Sequence, residues 1–486
     1  MIIRKSAAET RSHQDTVIYL LKDLSGLTQT PLTPEEQEYI RARFKPETRD
    51  VFVFNRLSHF VYVQLCPVNE DYRALEYLRK AGDKTVQFFR KEKQHAAVLI
   101  PSEVSPEKVL AYAEGVALGA YEFLKHKKSG DDKVVFSELH IDDAALSEVQ
   151  LANLQNLVKS CYLTRDMVNE PVNVMDTLSF SGLMADFCRE AGANVTVMNQ
   201  KEIEAHGMTG LLTVNKGSKS EPAFTVIEWK PDDASNDRPL VLVGKGLVFD
   251  TGGINLKPGS GLDAMKSDMA GGAAVFGALY ALALNKIPVH VVGLIPVTDN
   301  RPGENAMVPG DIIRMGNGKT VEIINTDAEG RLILADALLY ALKFNPLLVI
   351  DIATLTGAAS VALGRFGMAG VHQDAPAAMA ELIRSGQEVY ERIVEFPFWE
   401  EYDNEIRSDV ADLRNIGKNR GGGVITAGKF LAAFTAYPWI HLDIAPVAFM
   451  DGRESYRGKG ATAAGVRLLY HFVESKKWLG VESSGK

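Results

Sequence analysis

The segment Leu240-Val241-Leu242-Val243-Gly244-Lys245-Gly246 joins a short apolar run to a glycine-rich turn. An apolar run of this length predicts a strand that is buried on both faces, as strands of parallel sheets are. Similar β-rich runs occur on either side of it, at Phe224–Trp229, Val289–Val297, Val321–Ile324, Leu347–Ile352 and Ile440–Ile444. Helical patterns lie between several of these runs or follow them, at Gly272–Leu284, Leu332–Phe344 and Thr462–Glu474. The alternation predicts an α/β domain with a mainly parallel central sheet covered by helices on both faces.

The beginning of the chain has a similar but less regular pattern. Strands are predicted at Val51–Leu57, Phe60–Leu65 and Ala96–Ile100, and a helix at Tyr72–Ala81. Thr33-Pro34-Glu35-Glu36 has the spacing of a capping box that opens another helix. These elements predict a smaller N-terminal α/β domain over residues 1–150.

Apolar residues recur at helical spacing from about Asp143 to Asp166, with few residues that break helices. We therefore expect a long linker helix at 151–170 that joins the N-terminal domain to a C-terminal α/β domain at 171–486.

Composition and charge limit the possible classes of function. The 486 residues include 53 Lys and Arg against 62 Asp and Glu, a formal charge of −9, which disfavours nucleic acid or anionic lipid as a partner. The three cysteines have no C-x-x-C spacing, so neither a disulfide framework nor a thiolate zinc site is expected. The apolar run Val17–Leu21 is too short for a signal-peptide core, and no segment approaches the ~18 uninterrupted apolar residues of a membrane span. We expect a soluble cytoplasmic protein.

Glycine is concentrated in one part of the chain. Nine glycines lie between Gly244 and Gly277, where average usage gives about three. Because glycine permits positive φ and close approach of other groups, this stretch indicates loops around a site, although a turn-rich connection is the alternative. The chain lacks the Walker, G-x-G-x-x-G, G-x-S-x-G and H-E-x-x-H motifs.

Acidic residues are the remaining candidates for chemistry. Asp327 and Glu329 lie two residues apart at the end of a predicted strand, where residues i and i+2 point to the same side. Asp250 closely follows the run Leu240–Val243. The ends of such strands are where open α/β sheets bind ligands. If these acids converge with Asp268, their mutual repulsion would raise their pKa values unless two divalent cations neutralise them. From the residues alone, solvated loop acids and helix caps remain the alternative.

Two blocks of sequence resemble the leucyl aminopeptidase, or cytosol aminopeptidase, family. Asn325-Thr326-Asp327-Ala328-Glu329-Gly330-Arg331-Leu332 is similar to the signature of that family. The second block runs from Val243 to Gly253 and continues through Leu256-Lys257-Pro258 and Met265-Lys266-Ser267-Asp268-Met269. Further similarity extends over about residues 160–475. The N-terminal domain of the family is variable, and the resemblance implies that this domain serves in assembly.

The resemblance implies a two-metal peptidase that releases N-terminal amino acids, leucine-like residues preferred. One ion would be held by Lys245, Asp250, Asp268 and Glu329, and the other by Asp250, Asp327 and Glu329. A lysine ligand must be a neutral amine, so we expect a buried Lys245 whose pKa is lowered by desolvation and by the adjacent dication. Zinc is favoured at the lysine-bearing position, and zinc, manganese or magnesium, with cobalt also possible, at the exchangeable one.

The resemblance also assigns the remaining site residues. A metal-activated hydroxide would attack the scissile carbonyl, Lys257 would stabilise the oxyanion, and Arg331 would hold a bicarbonate that carries the proton. A salt bridge that organises the acids is the alternative role of Arg331. The side-chain pocket would be lined by Met265, Thr354 and Gly357, with the Leu355 carbonyl facing the substrate.

The expected substrates are peptides with a free N-terminus, and the expected assembly is a homohexamer. Two alternatives from other classes remain: a DNA-binding protein with an incidental peptidase site, and a two-metal hydrolase of another substrate class such as phosphoesters.

Overall fold

In the computed structural model, which describes residues 1–6, 15–45, 47, 50–128 and 136–480, the chain divides into two units. The first comprises Met1–Tyr162 with Gly452–Gly458, and the second comprises Leu163–Asp451 with Lys459–Lys486. The strands of the first unit are β1 (Ile2–Lys5), β2 (Val17–Leu21), β3 (Val51–Asn55), β4 (Phe60–Leu65), β5 (Ala96–Ser102) and β6 (Glu138–Ile141). Its helices are α1 (Pro34–Arg43), α2 (Tyr72–Lys91), α3 (Pro106–Gly119) and most of α4 (Glu148–Asn169).

The six strands of the first unit form one sheet in the order β1-β6-β5-β2-β4-β3, parallel except for β3. The capping box is confirmed, because the Thr33 side chain accepts from the Glu36 N–H and the Glu36 side chain accepts from the Thr33 N–H. Helix α2 continues well beyond its predicted end at Ala81, and it has an apolar face that is buried. Helix α4 covers most of the segment 151–170, and its role as a link between domains stays a prediction.

The second unit contains the following strands and helices. Its strands are β7 (Asn194–Met198), β8 (Ala223–Trp229), β9 (Leu240–Gly244), β10 (Gly246–Asp250), β11 (Val291–Asn300), β12 (Ile312–Arg314), β13 (Thr320–Glu322), β14 (Leu348–Ala353), β15 (Met368–Gln373), β16 (Ile393–Glu395), β17 (Leu413–Arg414), β18 (Trp439–Asp443), β19 (Phe449–Met450) and β20 (Gly460–Ala461). Its helices are α5 (Thr177–Glu190), α6 (Gln200–Ala205), α7 (Thr209–Asn215), α8 (Ala270–Leu284), α9 (Gly330–Ala341), α10 (Gly357–Leu363), α11 (Pro376–Glu388), α12 (Gly423–Ala432) and α13 (Val466–Glu474).

The main sheet of the second unit has the order β16-β15-β18-β14-β9-β11-β8-β7, and β10 pairs with β11. Its four central strands, β18, β14, β9 and β11, are mutually parallel, whereas β8 and β15 run antiparallel to their neighbours β11 and β18. The predicted α/β class with a mainly parallel sheet is confirmed. One predicted strand lies elsewhere: β13 belongs to a small sheet with β12 and β17. Only the central residue of β13, Val321, is buried, which is typical of a strand outside the middle of a covered sheet.

Helix α8 packs closely against the central strands because small residues line the contact. A Cβ atom on Gly244 would lie 2.6 Å from the Gly271 carbonyl oxygen, and one on Gly271 would lie 2.2 Å from the Ile352 carbonyl oxygen. Among the described residues, the stretch Leu262–Leu284 is long and apolar enough to cross a membrane by length and composition alone, and 94% of its most apolar 18-residue segment is buried inside the protein. The close packing brings the start of α8, just after Asp268, against the strand ends.

Candidate metal centre

The C-terminal ends of neighbouring strands bring the candidate residues to one edge of the main sheet. Lys245 directly follows β9, Asp250 is the last residue of β10, and Thr354 directly follows β14. Asp268 lies in a 3₁₀ helix, Leu262–Met269, that leads into α8, and Glu329 immediately precedes α9. This placement agrees with the general position of ligand sites in open α/β sheets.

Lys245 is buried at the centre of the site, with a relative exposure of 2%. Its Nζ lies 2.8 Å from Asp268 Oδ2 and 3.1 Å from Glu329 Oε1, and it donates to the Thr354 carbonyl oxygen at 3.1 Å. One amine thus joins two carboxylates that are distant in sequence.

Lys257 forms a second, more accessible group with the other two acids. Its Nζ lies 2.8 Å from Asp250 Oδ2 and 2.5 Å from Asp327 Oδ1. Carboxylate oxygens of Asp250, Asp327 and Glu329 all lie within 4.8 Å of one another, close enough to share a cation. We call Asp250, Asp268, Asp327 and Glu329 the carboxylate cluster. The four acids converge as the sequence argument required.

Charge repulsion and burial shift the protonation of the cluster. Burial raises the pKa of Asp268 to about 7, with Asp250 and Glu329 adding to the rise against the opposing charge of Lys245. Burial, followed by the charge of Asp250, raises the pKa of Asp327 to about 6. The predicted upward shift is therefore present in both acids, and neutralising cations would relieve it.

The carboxylates beside Lys245 oppose the lowering of its pKa that a metal-binding amine requires. Burial by itself would lower this pKa, but the charges of Asp268 and Glu329 outweigh burial and raise it well above its ordinary value. The buried position of Lys245 is as expected, and the lowered pKa that an adjacent dication would produce stays a prediction.

The local structure that places Asp327 and Glu329 in the site differs from the predicted one. The strand before them ends at Glu322, so the two residues do not share one side of a strand. Asp327 lies in the turn that follows, and Glu329 already has helical backbone angles at the start of α9. The prediction that strand alternation aligns them was wrong, and the turn into the helix brings them together.

Two glycines provide the space that the lysines and acids occupy. Gly252 has a φ of +85°, and a Cβ atom there would lie 2.9 Å from Asp327 Oδ1 and 2.4 Å from the Asn255 carbonyl oxygen. A Cβ atom on Gly330 would lie 2.6 Å from Lys245 Nζ. These contacts give a physical reason for the glycines within the two sequence blocks.

Arg331, in the first turn of α9, is buried, and its Nε and Nη1 have no hydrogen-bond partner among the described residues. Burial lowers the pKa of its guanidinium to about 10, while the charges of Glu329 and Asp443 oppose that shift. Buried guanidinium N–H groups without acceptors are costly, which favours an anion beside them.

The residues predicted to line a pocket lie in two segments. Met265 belongs to the 3₁₀ helix and is partly buried. Thr354 and Leu355 follow β14, and Gly357 begins α10 and is exposed. The Thr354 hydroxyl donates to Asp268 Oδ1, so Thr354 contacts the carboxylate cluster directly, which the sequence did not indicate.

Asn300, whose side chain donates to Asp250 of the cluster, was not predicted from the sequence as a site residue. Its position shortly after the predicted strand Val289–Val297 was the available signal, since open α/β sheets bind ligands beyond such strand ends.

The family model for the catalytic domain of the cytosol aminopeptidase family matches residues 162–470. A probable cytosol aminopeptidase of Geobacter sulfurreducens is 44% identical over 378 residues, covering 76% of each chain. Another, from Geobacter sp. (strain M21), is 40% identical over 413 residues, covering 82% of this chain and 83% of the relative. Among solved structures, the bottromycin maturation enzyme BotP in complex with Mn has a TM-score of 0.83 at 28% identity, covering 94% of this chain and 99% of that one.

Proposed function

The chain belongs to the cytosol aminopeptidase family, and we propose that its reaction takes place at the carboxylate cluster and the two lysines beside it. The protein is a metal-dependent aminopeptidase, a metalloexopeptidase of the leucyl aminopeptidase type. The alternatives of a DNA-binding protein and of a hydrolase of another class are not favoured by this membership. The observation that supports the placement is the convergence of four carboxylates and two lysines at the strand ends.

The donor atoms of the site fit two divalent cations. In this proposal Lys245, Asp250, Asp268 and Glu329 hold one ion, and Asp250, Asp327 and Glu329 hold the other. The proximity of three carboxylates supports the second position, and the contacts of Lys245 support the first. Oxygen donors with one nitrogen suit zinc, manganese, magnesium or cobalt, with zinc proposed beside the lysine. The related BotP structure contains Mn, which supports manganese as an occupant of the exchangeable position.

Bound cations would polarise the scissile carbonyl, lower the pKa of a shared water toward neutrality and favour the neutral amine of Lys245. The four carboxylates contribute the negative charge that balances two dications. A peptide with a free N-terminal amine can add its own nitrogen donor, which accounts for exopeptidase action.

Lys257 is placed to act on the charge that develops at the carbonyl oxygen. Its ammonium contacts Asp250 and Asp327, and its side chain keeps 22% of its surface exposed. Burial alone would lower the pKa of Lys257, but the charge of Asp250 and the other acids raises it well above its ordinary value, so the side chain stays cationic. A fixed cation at the rim of the site would stabilise an oxyanion in the transition state.

Arg331 is proposed to bind bicarbonate, which would receive a proton from the attacking water and return it to the leaving amine. The unpartnered Nε and Nη1 support an anion at this position. A lysine or a carboxylate of the cluster is a poor substitute as base, because each is already ion-paired.

The side-chain pocket is proposed to be lined by Met265, Thr354 and Gly357, with the Leu355 carbonyl facing the substrate. Because the Thr354 hydroxyl donates to Asp268, its methyl group is the part that suits an apolar lining. Such a lining would favour leucine-like residues.

We test the placement of the reaction with protein stripped by a chelator and then given back Zn²⁺, Mn²⁺, Mg²⁺ or Co²⁺ singly. Hydrolysis of leucine-p-nitroanilide should depend on the metal, and N-acetyl-leucine-p-nitroanilide should not be cleaved. Asp268→Ala should abolish activity and weaken binding of the ion beside Lys245 while retaining the fold. Asp263→Ala is the matched control, because Asp263 is an exposed acid in the same 3₁₀ helix.

Full activity of Asp268→Ala and of Asp250→Ala would place the reaction elsewhere. Hydrolysis of a phosphomonoester without cleavage of leucine-p-nitroanilide would select another class of hydrolase.

The assembly and location of the enzyme are also part of the proposal. A homohexamer and a cytoplasmic location are proposed from the family resemblance, with a role for the N-terminal unit in assembly. The net charge of −9 supports the absence of nucleic acid or membrane partners. Mass measurement in solution tests the hexamer directly.

A further inference from the structure

Asn300 lies behind the carboxylate cluster as the last residue of β11, and it is 2% exposed. Its Nδ2 donates to Asp250 Oδ1 at 2.9 Å and to the Thr326 carbonyl oxygen at 3.0 Å, with Glu329 Oε2 at 3.5 Å. A single side-chain amide therefore faces both acids that are proposed to be shared by the two ions.

The orientation of this amide follows from its surroundings. All three neighbouring atoms are oxygens that accept hydrogen bonds, so the nitrogen and not the oxygen of the amide must face them. The amide oxygen lies on the side of Gly253, where a Cβ atom would approach it to 2.8 Å.

Asn300 contacts the oxygens of the shared acids that the lysines leave unpaired. Asp250 pairs with Lys257 through Oδ2 and accepts from Asn300 through Oδ1, and Glu329 pairs with Lys245 through Oε1 and faces Asn300 through Oε2. Each carboxylate is thus contacted from two sides, which restricts its rotation. The amide is neutral, so it orients the acids without adding a charge that would repel cations.

We propose that Asn300 is a positioning residue that fixes the orientation of Asp250 and Glu329 so that both can be shared by two cations. This inference rests on the proposed function of the cluster. Partners of this kind orient metal-binding side chains in many proteins, and their loss typically costs 10- to 100-fold in metal affinity or activity, roughly.

The backbone of Asn300 has a separate role that a side-chain substitution preserves. The Thr251 N–H and hydroxyl donate to the Asn300 carbonyl oxygen at 3.0 and 2.8 Å, which helps hold the ends of β10 and β11 together. A change of side chain therefore tests the amide and leaves this strand contact in place.

The test compares Asn300→Ala and Asn300→Leu with Asn236→Ala. Asn236 is a matched control because it is also buried in the same unit and its amide donates to the His290 and Arg238 carbonyl oxygens at 2.9 Å. Mn²⁺ binding is measured by equilibrium dialysis, and the electron paramagnetic resonance spectrum reports whether two bound ions are magnetically coupled. Folding is checked by thermal unfolding.

We expect both Asn300 variants to bind the second Mn²⁺ about 10- to 100-fold more weakly and to lose the coupled spectrum. Their kcat should fall by a similar factor while KM changes little, and Asn236→Ala should match the wild type in metal binding and kcat. Wild-type affinity and spectrum in either Asn300 variant would overturn the proposal. Failure of both variants to fold would also overturn it, because Asn300 would then be required by the fold and not by the metals.

Failure of the proposed function is distinct, since it would appear as metal-independent activity of the wild type or as full activity of Asp250→Ala.

Discussion

The Thr354 hydroxyl donates a 2.7 Å hydrogen bond to Asp268 Oδ1, a contact between residues 86 positions apart. Asp268 presents its other oxygen to Lys245. The hydroxyl therefore fixes the orientation of a proposed metal-binding carboxylate in a buried site.

Replacing Thr354 by Val keeps the shape of the side chain and removes this donor. Hydrogen bonds to charged groups contribute about 1.5–3 kcal/mol, so we expect Zn²⁺ affinity to fall by about tenfold or more. Thr354→Ser, which retains the hydroxyl, should bind Zn²⁺ as the wild type does. Competition with a chromophoric chelator measures the Zn²⁺ affinity of both variants. Wild-type affinity in Thr354→Val would assign Thr354 to the pocket alone.

Substitution of Lys257 by Met should separate catalysis from metal binding. The change removes a cation that lies beside two cluster acids, and loss of one stabiliser of transition-state charge typically lowers kcat by about 10²–10³-fold. Bound Mn²⁺, measured by atomic absorption, should stay at the wild-type level or rise, because a competing cation is gone. Lys266→Met is the control, since that ammonium donates to the Asn169 carbonyl oxygen at 2.6 Å instead. A parallel loss of Mn²⁺ and kcat would indicate that Lys257 only supports the acids.

Arg331→Ala should lower turnover far more than metal content if the guanidinium holds bicarbonate. Added bicarbonate should increase the rate of wild-type protein prepared in carbonate-free buffer and leave the rate of the variant unchanged. Equal losses of activity and metal would instead support a salt-bridge role in organising the acids.

Asp336, on the buried side of α9, should make stability depend on pH. Burial raises its pKa to about 8, although the Leu211 and Gly210 N–H groups oppose the rise. Between an unfolded value near 4 and this folded value, the native state holds a proton that the unfolded state has released, so stability falls as pH rises. The slope from this one group is at most about 1.4 kcal/mol per pH unit.

Asp336→Asn removes the titration while keeping an oxygen that can accept from the Leu211 N–H. The free energy of unfolding, measured in urea at pH 5, 7 and 9, should therefore depend less on pH in the variant. Identical slopes in the two proteins would show that Asp336 titrates normally.

The local pattern of the chain was sufficient to predict most elements near the site. The run Leu240–Val243 is a central strand, and the capping box at Thr33 begins a helix, because burial on both faces and end capping are decided by residues close in sequence. The four acids of the cluster were also identifiable, through the glycine-rich stretch and the family blocks. The direction of a strand, and the sheet to which it belongs, could not be predicted in the same way. Strand β8 is antiparallel to β11, and β13 belongs to a separate small sheet.

Contacts across the site depended on the tertiary structure. Lys245 and Glu329 are 84 positions apart, and only the order β14-β9-β11 and the close packing of the helices place them 3.1 Å from each other. The same packing places carboxylates around Lys245, where their charges raise its pKa. It also brings the side chains of Asn300 and Thr354 into contact with the cluster. Periodicity in a sequence reports which residues are buried, but the strength of charge interactions and hydrogen bonds depends on distances that are set when remote segments pack together.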